Sequence, residues 1–422
     1  MIPQPNGRTL YAHQVSGAEF LLRVKKGMLC DDMGLGKTAE SLAAAKATGL
    51  PVVVICPASL VKNWHDEALM FNMRVTCFSW AKFPDKFYTS RFVLIGDECH
   101  FIQTLRSLRS KRFLALAALA EYVWCVTGTP MKNGRPANLF PLLKAIGHPL
   151  SKQRSWFEIR YCGAAMKPIR VKGGAERKVW DNSGARNVDE LAVKIAPVML
   201  RRTKLECLDL PEKTRILRQI DITAEMQREY DEVIRKFADQ HPDTAQLAMV
   251  ALGAARQAAS KAKIPLAIEL AEEVLSQRQS VVLFTEYKAT ALALSTALGC
   301  ELITGDVDAL TERPAIVGRF QNGQKRALVL TTRAGGVGIT LTRAQTVILV
   351  DRAWTPGDCS QMEDRLHRIG QKNAVTAIWL QAFKIDEVVD KILLEKTKHI
   401  SELTGEEPIN FIETANAVFG IK

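Results

Sequence analysis

The stretch Met28-Leu29-Cys30-Asp31-Asp32-Met33-Gly34-Leu35-Gly36-Lys37-Thr38 runs from a short apolar segment through a glycine-rich turn into an alanine-rich helical pattern, Thr38–Ala47. That order suits a phosphate-binding loop. Gly34 and Gly36 let the backbone turn tightly, so that successive N–H groups point at phosphate oxygens beside a helix N-terminus. Lys37 would bridge the terminal phosphates of a nucleotide, and Thr38 would offer its hydroxyl to Mg2+. Asp31 stands where the general G-x-x-x-x-G-K-T pattern has its first glycine. The plainer alternative is a helix start with two incidental glycines, and the motifs downstream count against it.

Phe92-Val93-Leu94-Ile95-Gly96-Asp97-Glu98-Cys99-His100 ends an apolar strand on two adjacent carboxylates. Nucleotide hydrolysis needs one carboxylate for the metal and another to orient and deprotonate water. Asp97 suits the first role and Glu98 the second. Val126-Thr127-Gly128-Thr129-Pro130 follows another apolar run. Its hydroxyls could sense the γ-phosphate side of the site, although alone it is a plain turn. Farther on, Thr331-Thr332-Arg333-Ala334-Gly335-Gly336-Val337-Gly338 presents small and hydroxyl residues after a strand, suited to nucleic-acid phosphates without base reading. Arg365 and Arg368 in Gln361-Met362-Glu363-Asp364-Arg365-Leu366-His367-Arg368-Ile369-Gly370-Gln371 are three apart, hence on one face if helical. Two guanidiniums facing a γ-phosphate would act as arginine fingers, worth roughly 10³ or more in rate.

These residues need elements to hold them. The first 150 residues alternate strand-like and helix-like segments, with strands expected at Val52–Cys56, Arg74–Phe78, Phe92–Gly96 and Tyr122–Thr127. Alternation of this kind means a parallel sheet covered on both faces, with ligands beyond the carboxyl ends of its strands. From about Lys152 to Gly184 the pattern dissolves into glycine, basic and aromatic residues, expected as a surface insertion. Met226, Tyr230, Val233 and Phe237 fall on one helical face, and the segment around them is expected to form a helical bridge between lobes. Alternation then resumes with strands expected at Val281–Phe284, Glu301–Thr304, Ala327–Thr331, Thr346–Val350 and Val375–Leu380, and a last helix from Asp386 to about Leu403. The expected organisation is a first lobe over 1–150, a basic insertion and helical bridge over 151–262, and a second lobe over 263–422.

A chain of 422 residues is too long for one ordinary core, and 47% hydrophobic with 24% charged residues is ordinary for a globular protein. No apolar run reaches the roughly 20 residues of a membrane span, and the N-terminus lacks the apolar core of a secretion signal. The nine cysteines form no C-x-x-C pair, which argues against disulfides and structural zinc and for a reducing, cytoplasmic setting. The net charge is +12. Residues 151–204 hold 13 Lys/Arg against 5 Asp/Glu, a balance of +8, so most of the excess is local. Such clustering favours a polyanion partner. Lys172, Arg177 and Lys178 are the expected duplex DNA contacts there, with docking of a partner or a merely solvated loop as the alternatives.

Gln14, the loop Asp-Asp-Met-Gly-Leu-Gly-Lys-Thr, Asp-Glu-Cys-His, Thr-Gly-Thr-Pro and Arg-Leu-His-Arg-Ile-Gly-Gln together resemble the Swi/Snf-type ATPases of helicase superfamily 2. The resemblance runs from Gln14 to about Leu380 in the family's order. It is strongest toward the annealing-helicase, fork-remodelling branch, on Arg160-Tyr161-Cys162, Trp180-Asp181, Val198-Met199-Leu200-Arg201-Arg202-Thr203-Lys204 and Leu210-Pro211-Glu212-Lys213. It implies an α/β fold of two RecA-like lobes with ATP and Mg2+ in the cleft between them. Gln14 would lie on the adenine, with Met33, Gly34, Leu35, Gly36, Lys37 and Thr38 around the phosphates and Thr38 and Asp97 on the metal. Asp97 and Glu98 would act on metal and water, and Gly338, Gln361, Arg365 and Arg368 would complete the site from the other lobe. For the DNA path the resemblance points to Pro57, Ala58, Ser59, Thr285, Tyr287, Thr304, Gly305, Thr331, Thr332, Arg333, Gly335 and Trp354. Cys99 stands where relatives often carry Ala or Ser. Gln14 near the start and little chain after Leu403 imply a bare motor, with substrate targeting left to the lobes or a partner protein. The compact length suits a viral or prokaryotic genome. The expected activity is an ATP-dependent translocase on double-stranded or forked DNA. Its rivals are a strand-separating helicase on DNA or RNA and a non-catalytic DNA-binding scaffold.

Overall fold

A computed structural model describes residues 2–84, 91–131, 135–170, 176–238, 245–308, 311–335 and 338–401. It divides into two units, one within Met1–Asp209 and one within Leu210–Thr397. Among the described residues no helix is long and apolar enough to cross a membrane.

The first unit contains β1 (Lys26–Leu29), β2 (Val52–Cys56), β3 (Thr76–Ser79), β4 (Val93–Asp97), β5 (Tyr122–Val126), β6 (Ala165–Arg170), β7 (Glu176–Asp181) and β8 (Met199–Leu200). Six of them form one sheet in the order β3-β2-β4-β5-β1-β8, every pair parallel. β2 reads Val-Val-Val-Ile-Cys and β4 reads Val-Leu-Ile-Gly-Asp, both buried throughout. Continuous apolar runs of this kind mark strands covered on both faces rather than one. Phe113, Leu116, Phe140, Phe157 and Tyr161 from the surrounding helices close one layer of the core over Val53, Ile55, Leu94 and Val123. β6 and β7 stand apart as an antiparallel hairpin within the expected insertion.

The second unit adds β9 (Lys213–Gln219), β10 (Val281–Thr285), β11 (Glu301–Ile303), β12 (Ala327–Thr331), β13 (Thr346–Leu349) and β14 (Val375–Gln381). They form a second parallel sheet, β11-β12-β10-β13-β14-β9. Alternate residues of each strand point to opposite faces. Val282, Phe284, Leu328, Leu330, Val347 and Leu349 therefore feed one core. Val281, Leu283, Val329 and Ile348 feed the other, against Ala267, Leu270, Ala291 and Leu294. The last helix runs Lys384–Ser401, and Leu403 lies outside the described residues.

The segment expected to bridge the lobes instead belongs to the second unit. Its two helices, Ala224–Ala238 and Ala245–Ala262, contribute Tyr230, Ala248, Ala251, Leu252, Ala255 and Ala259 to that unit's core. The spacing of the alanines and Leu252 is a helical stripe narrow enough for close approach to the sheet. Tyr230 stacks on Phe383, ring centroids 4.0 Å apart. The side chain of Phe237 lies outside the described residues.

Candidate active site

The turn after β1 holds Gly34 and Gly36 at φ +91° and +89°, the left-handed region that glycine enters without a Cβ clash. Gly36 starts the helix Lys37–Thr48. The positive φ calls for glycine at 36, and a Cβ there would fall 2.1 Å from Gln14 Nε2, so it would also displace that side-chain amide. Gln14 Nε2 donates to the Leu35 carbonyl at 3.0 Å and His13 Nε2 lies 2.9 Å from the same oxygen. The Gln14 amide oxygen accepts from Tyr11 N. Gln14 is thereby fastened beside the loop. Lys37 Nζ donates to the carbonyls of Asp31 and Asp32 at 2.7 and 3.1 Å. Met33, Gly34, Gly36, Lys37 and Thr38 are half-buried at the loop, and Leu35 is buried beneath it. A Cβ on Gly128 would meet Met33 Cγ at 2.9 Å, so the Thr-Gly-Thr turn after β5 lies against the loop.

β4, two places from β1 in the sheet, delivers Asp97 and Glu98 at its carboxyl end. Asp97 is held by two indoles: Trp64 Nε1 donates to Oδ2 at 2.8 Å and Trp80 Nε1 donates to its carbonyl at 2.7 Å. Oδ1 accepts from Glu98 N. Burial, then the charge of Glu98, pushes the Asp97 carboxyl up to about 7, against the opposing pull of Trp64 and Lys37. Glu98 sits at φ +51°, a conformation costly for a side chain with a Cβ and found where function fixes the backbone. Its Oε2 lies 3.5 Å from Thr127 Oγ1 and 3.3 Å from His100 Nδ1, and His100 Nδ1 is 3.3 Å from Thr127 Oγ1. The acidic pair and the Thr-Gly-Thr turn thus meet side chain to side chain.

One residue of this site escaped the sequence reading of chemistry. Arg202, after β8, reaches Asp31 through Nε and Nη2, Glu40 through Nη2 at 2.9 Å, the His13 carbonyl at 2.5 Å and Ser16 Oγ at 2.8 Å. It ties the loop, the helix after it and the turn bearing Gln14 into one body. Asp31, in the place of the expected first glycine, and Glu40 are both fully buried. Two carboxylates in an apolar setting demand a cation. The sequence carried no local signal for this, because Arg202 meets Asp31 and Glu40 from 171 and 162 positions away.

Burial, then the charge of Asp31, raises the Glu40 carboxyl to about 8, with Arg202 opposing. The folded protein therefore keeps a proton there that the unfolded chain releases near 4.5, so this group weakens stability as pH rises from about 4.5 to about 8. Glu40→Gln removes that slope. Relative to the parent, its melting temperature should rise by several degrees between pH about 5 and about 8.5, as roughly 1 kcal/mol shifts Tm by a few degrees in units of this size. Parallel pH dependences would exclude Glu40 as the proton holder.

In the second unit the helix Pro356–Glu363 stops before Arg365, with Asp364 as its C-cap. The helical spacing expected for Arg365 and Arg368 is therefore not what brings them together. Turns do so: Nη1 of Arg365 and of Arg368 both donate to the Ile339 carbonyl, at 3.5 and 3.3 Å. Gly338, at φ +75°, immediately precedes that carbonyl. Gln361 is half-buried on the helix one turn earlier. Glu363 anchors the segment, accepting from Lys213, Arg215 and Trp379 at 2.7–3.0 Å. Gln371 closes it, donating to the carbonyls of Thr342, Ala344 and Leu366.

The expected DNA contacts all follow strand ends. Pro57, Ala58 and Ser59 form a short turn after β2, with Ala58 exposed. Thr285 and Tyr287 follow β10, Thr304 and Gly305 follow β11, Thr331–Gly335 close β12, and Trp354 follows β13. Those four strands are neighbours, so one edge of the second unit gathers all these residues. Several hydroxyls are engaged internally: Thr285 Oγ1 donates to Asp351 Oδ2 at 2.6 Å and Thr332 Oγ1 donates to the Thr285 carbonyl at 3.3 Å. Thr331 and Thr304 are buried, whereas Arg333 and Gly305 are exposed. Trp354 is half-buried under the Arg256 guanidinium, 4.5 Å from the ring centroid. Gly336 and Lys172 lie outside the described residues, while Arg177 and Lys178 are exposed on β7.

Comparison with known proteins bears on this arrangement. The SNF2-related domain description matches residues 13–95 and 85–274, and the helicase conserved C-terminal domain matches residues 264–370. The chain is 28% identical, over 97% of its length, to the SWI/SNF-related matrix-associated actin-dependent regulator of chromatin subfamily A-like protein 1 of Xenopus tropicalis, covering 46% of that protein. It is 27% identical to the mouse DNA annealing helicase and endonuclease ZRANB3 (96% of this chain, 41% of that protein). It is 26% identical to the Bacillus subtilis putative ATP-dependent helicase/translocase YwqA (92% and 48%). The chain thus spans about half the length of the curated relatives it matches. Among solved structures, the Sulfolobus solfataricus SWI2/SNF2 ATPase core in complex with dsDNA aligns at 21% identity and a TM-score of 0.42, covering 100% of this chain and 97% of that one.

Proposed function

The chain belongs to the SNF2-related family, and from that premise we propose that it is an ATP-dependent translocase on double-stranded DNA, driven by DNA-stimulated hydrolysis. The supporting observation is the convergence of the glycine turn, the acidic pair and the Thr-Gly-Thr turn at the carboxyl ends of β1, β4 and β5, three strands adjacent in one sheet.

The donor set fits a nucleotide with its divalent cation. Two glycines at positive φ open a helix N-terminus, an ammonium and a hydroxyl follow, and a buried carboxylate stands nearby. Thr38 and Asp97 would hold Mg2+, which would neutralise charge on the nucleotide phosphates. In this reading the loop amides from Met33 to Thr38 and the Lys37 ammonium bind the phosphates. Gln14, fixed to the Leu35 carbonyl, positions the adenine. The Trp64 indole fixes the Asp97 carboxylate and the Trp80 indole its backbone carbonyl, and Glu98 orients the attacking water and takes its proton. Thr127 and His100, within 3.5 Å of Glu98, steer that carboxylate. Arg365 and Arg368 of the second unit supply the guanidiniums that stabilise charge on the transferring phosphoryl group. Gln361 and Gly338 complete that set.

DNA would be gripped by its phosphates along the strand ends that carry Arg333, Gly305, Tyr287 and Trp354 in the second unit and Pro57–Ser59 in the first. Backbone contacts of this kind tolerate any sequence. Similarity to proteins named DNA annealing helicases supports rejoining of strands as the product of translocation. Turnover should rise at least about tenfold on adding duplex DNA, and duplex affinity should fall steeply and linearly on a log–log salt plot. Comparing ATP turnover on duplex, single-stranded, forked and RNA substrates tests this. Hydrolysis indifferent to duplex would overturn the translocase, and efficient displacement of a labelled fork strand would favour a strand-separating helicase.

A further inference from the structure

The hairpin β6–β7 carries Arg177 and Lys178, expected as polyanion contacts, but has no part in the function proposed above, and its construction is unusual for a surface insertion. Residues 165–168 of β6 are all exposed, as are Glu176, Arg177, Lys178 and Trp180 of β7. A two-stranded ribbon bare on both faces is marginal on its own in water. This one is moored at its base to the helix Arg154–Cys162. Glu158, buried in that helix, accepts from Trp180 Nε1 and from Asn182 Nδ2, both at 2.7 Å, and from Arg154 Nε at 2.8 Å. Lys167 pairs with Asp181 across the strands, and Arg186 N donates to the Tyr161 carbonyl just below.

The mooring fixes the indole by its edge and leaves its face in solvent. Trp180 is 42% exposed, and its direct cross-strand partner Met166 is 54% exposed. Lys178 and Pro168, paired two residues along, share that face. Trp156 and Ile159, on the helix that carries Glu158, are 45% and 53% exposed. Bare aromatic and apolar side chains on both the hairpin and the helix it is moored to mark a binding surface. The charge around it selects the occupant. Lys152, Arg177, Lys178 and Arg186 are exposed, and none makes an ion pair among the described residues. They lie in the segment whose balance is +8. An acidic protein segment would match the cations but leave flat rings bare. Unpaired bases on a phosphate backbone match both, because aromatic side chains stack on any base while lysine and arginine follow the phosphates.

We propose that the hairpin β6–β7 and the adjoining helix surface form a single-strand DNA platform, with an unpaired base stacked on Trp180 and the flanking phosphates on Arg177 and Lys178. It is separate from the proposed phosphate-contacting duplex path and is measured without nucleotide, so its outcome is independent of the ATPase reading.

The test is equilibrium binding of the full chain to a labelled thymidine oligomer and to an abasic oligomer of equal length and charge. The parent should bind the thymidine oligomer about tenfold more tightly than the abasic one, the value of one stacked base. Trp180→Ala should abolish that preference, and Trp180→Phe should keep most of it. R177E/K178E should weaken both oligomers and reduce the salt slope by about 1.4, since each of the two single-strand phosphate contacts contributes roughly 0.7. R177E/K178E changes only exposed side chains, so a melting temperature close to the parent's is expected there. Trp180→Ala and Trp180→Phe both lose the Nε1 bond to Glu158, so a base preference kept by Phe and lost by Ala separates stacking from loss of the mooring. If R177E/K178E weakens binding while Trp180→Ala leaves the base preference intact, the surface is only a basic face and the platform is overturned. Equal binding by the parent and all variants overturns it as well.

Discussion

Lys37→Ala lowers ATP turnover by at least about 10²–10³-fold, the loss that follows removal of one preorganised donor to developing phosphoryl charge. Duplex DNA binding should stay close to the parent's, because Lys37 sits at the loop after β1 and the proposed DNA contacts lie at other strand ends. The side chain also has a structural share, through its bonds to the carbonyls of Asp31 and Asp32. That share is small beside the network that already holds the loop, in which Arg202 grips Asp31, Glu40 and the His13 carbonyl and Gln14 grips Leu35. The variant should accordingly melt within a few degrees of the parent. Steady-state hydrolysis and duplex retention on the same preparation check the result. Turnover that survived the change would remove the glycine turn from the chemistry.

The second large effect concerns the other unit. Arg365→Ala and Arg368→Ala should each reduce kcat by about 10³-fold or more while leaving nucleotide binding largely intact, as expected of groups that meet charge only in the transition state. The double variant should be little worse than either single one, because residues acting as a unit are not additive. Lysine should not rescue either position, since an ammonium cannot reproduce the planar, forked guanidinium. Arg365 is buried and bonded to Ile339, so its alanine variant should also lose some stability, whereas half-buried Arg368 should not. Single-turnover hydrolysis with independent measurement of nucleotide affinity separates the two contributions. A raised Kd at unchanged kcat would make these arginines ground-state ligands and sink the finger assignment.

How much of this was legible depended on how strongly each segment's own chemistry constrained it. β2 and β12 were read to the residue, since a buried run of five, all apolar between two prolines in β2 and apolar up to Thr331 in β12, leaves little choice. Helical spacing was the reading for Arg365 and Arg368; in the structure turns, rather than a helix, bring both onto one carbonyl. β6 and β7 were missed because lysine, arginine and glycine conceal a period of two when neither face is buried. β9 was missed for a related reason, its sequence Lys-Thr-Arg-Ile-Leu-Arg-Gln being exposed along most of the sheet's edge. The helices from Ala224 to Ala262 were recognised as helices, but sequence periodicity cannot say which core an alanine stripe will enter. Trp64 and Trp80 gave no signal at all, because their hydrogen bonds to Asp97 depend on how the chain folds back over tens of residues.

The placement of β9 has a consequence for how the polypeptide emerges from the ribosome. β9 is the first strand of its sheet to be made, yet among the described residues its only neighbour is the last, β14, and the pairing joins residues 162 positions apart. At roughly 5–20 residues per second, translation leaves that ribbon waiting for about 8–30 seconds before its partner exists. During that interval Ile216 and Leu217 flank a row of unanswered amides, the template on which nascent chains cross-pair. Lys213, Arg215 and Arg218, spaced along the same ribbon, repel a second copy and act as gatekeepers until synthesis catches up.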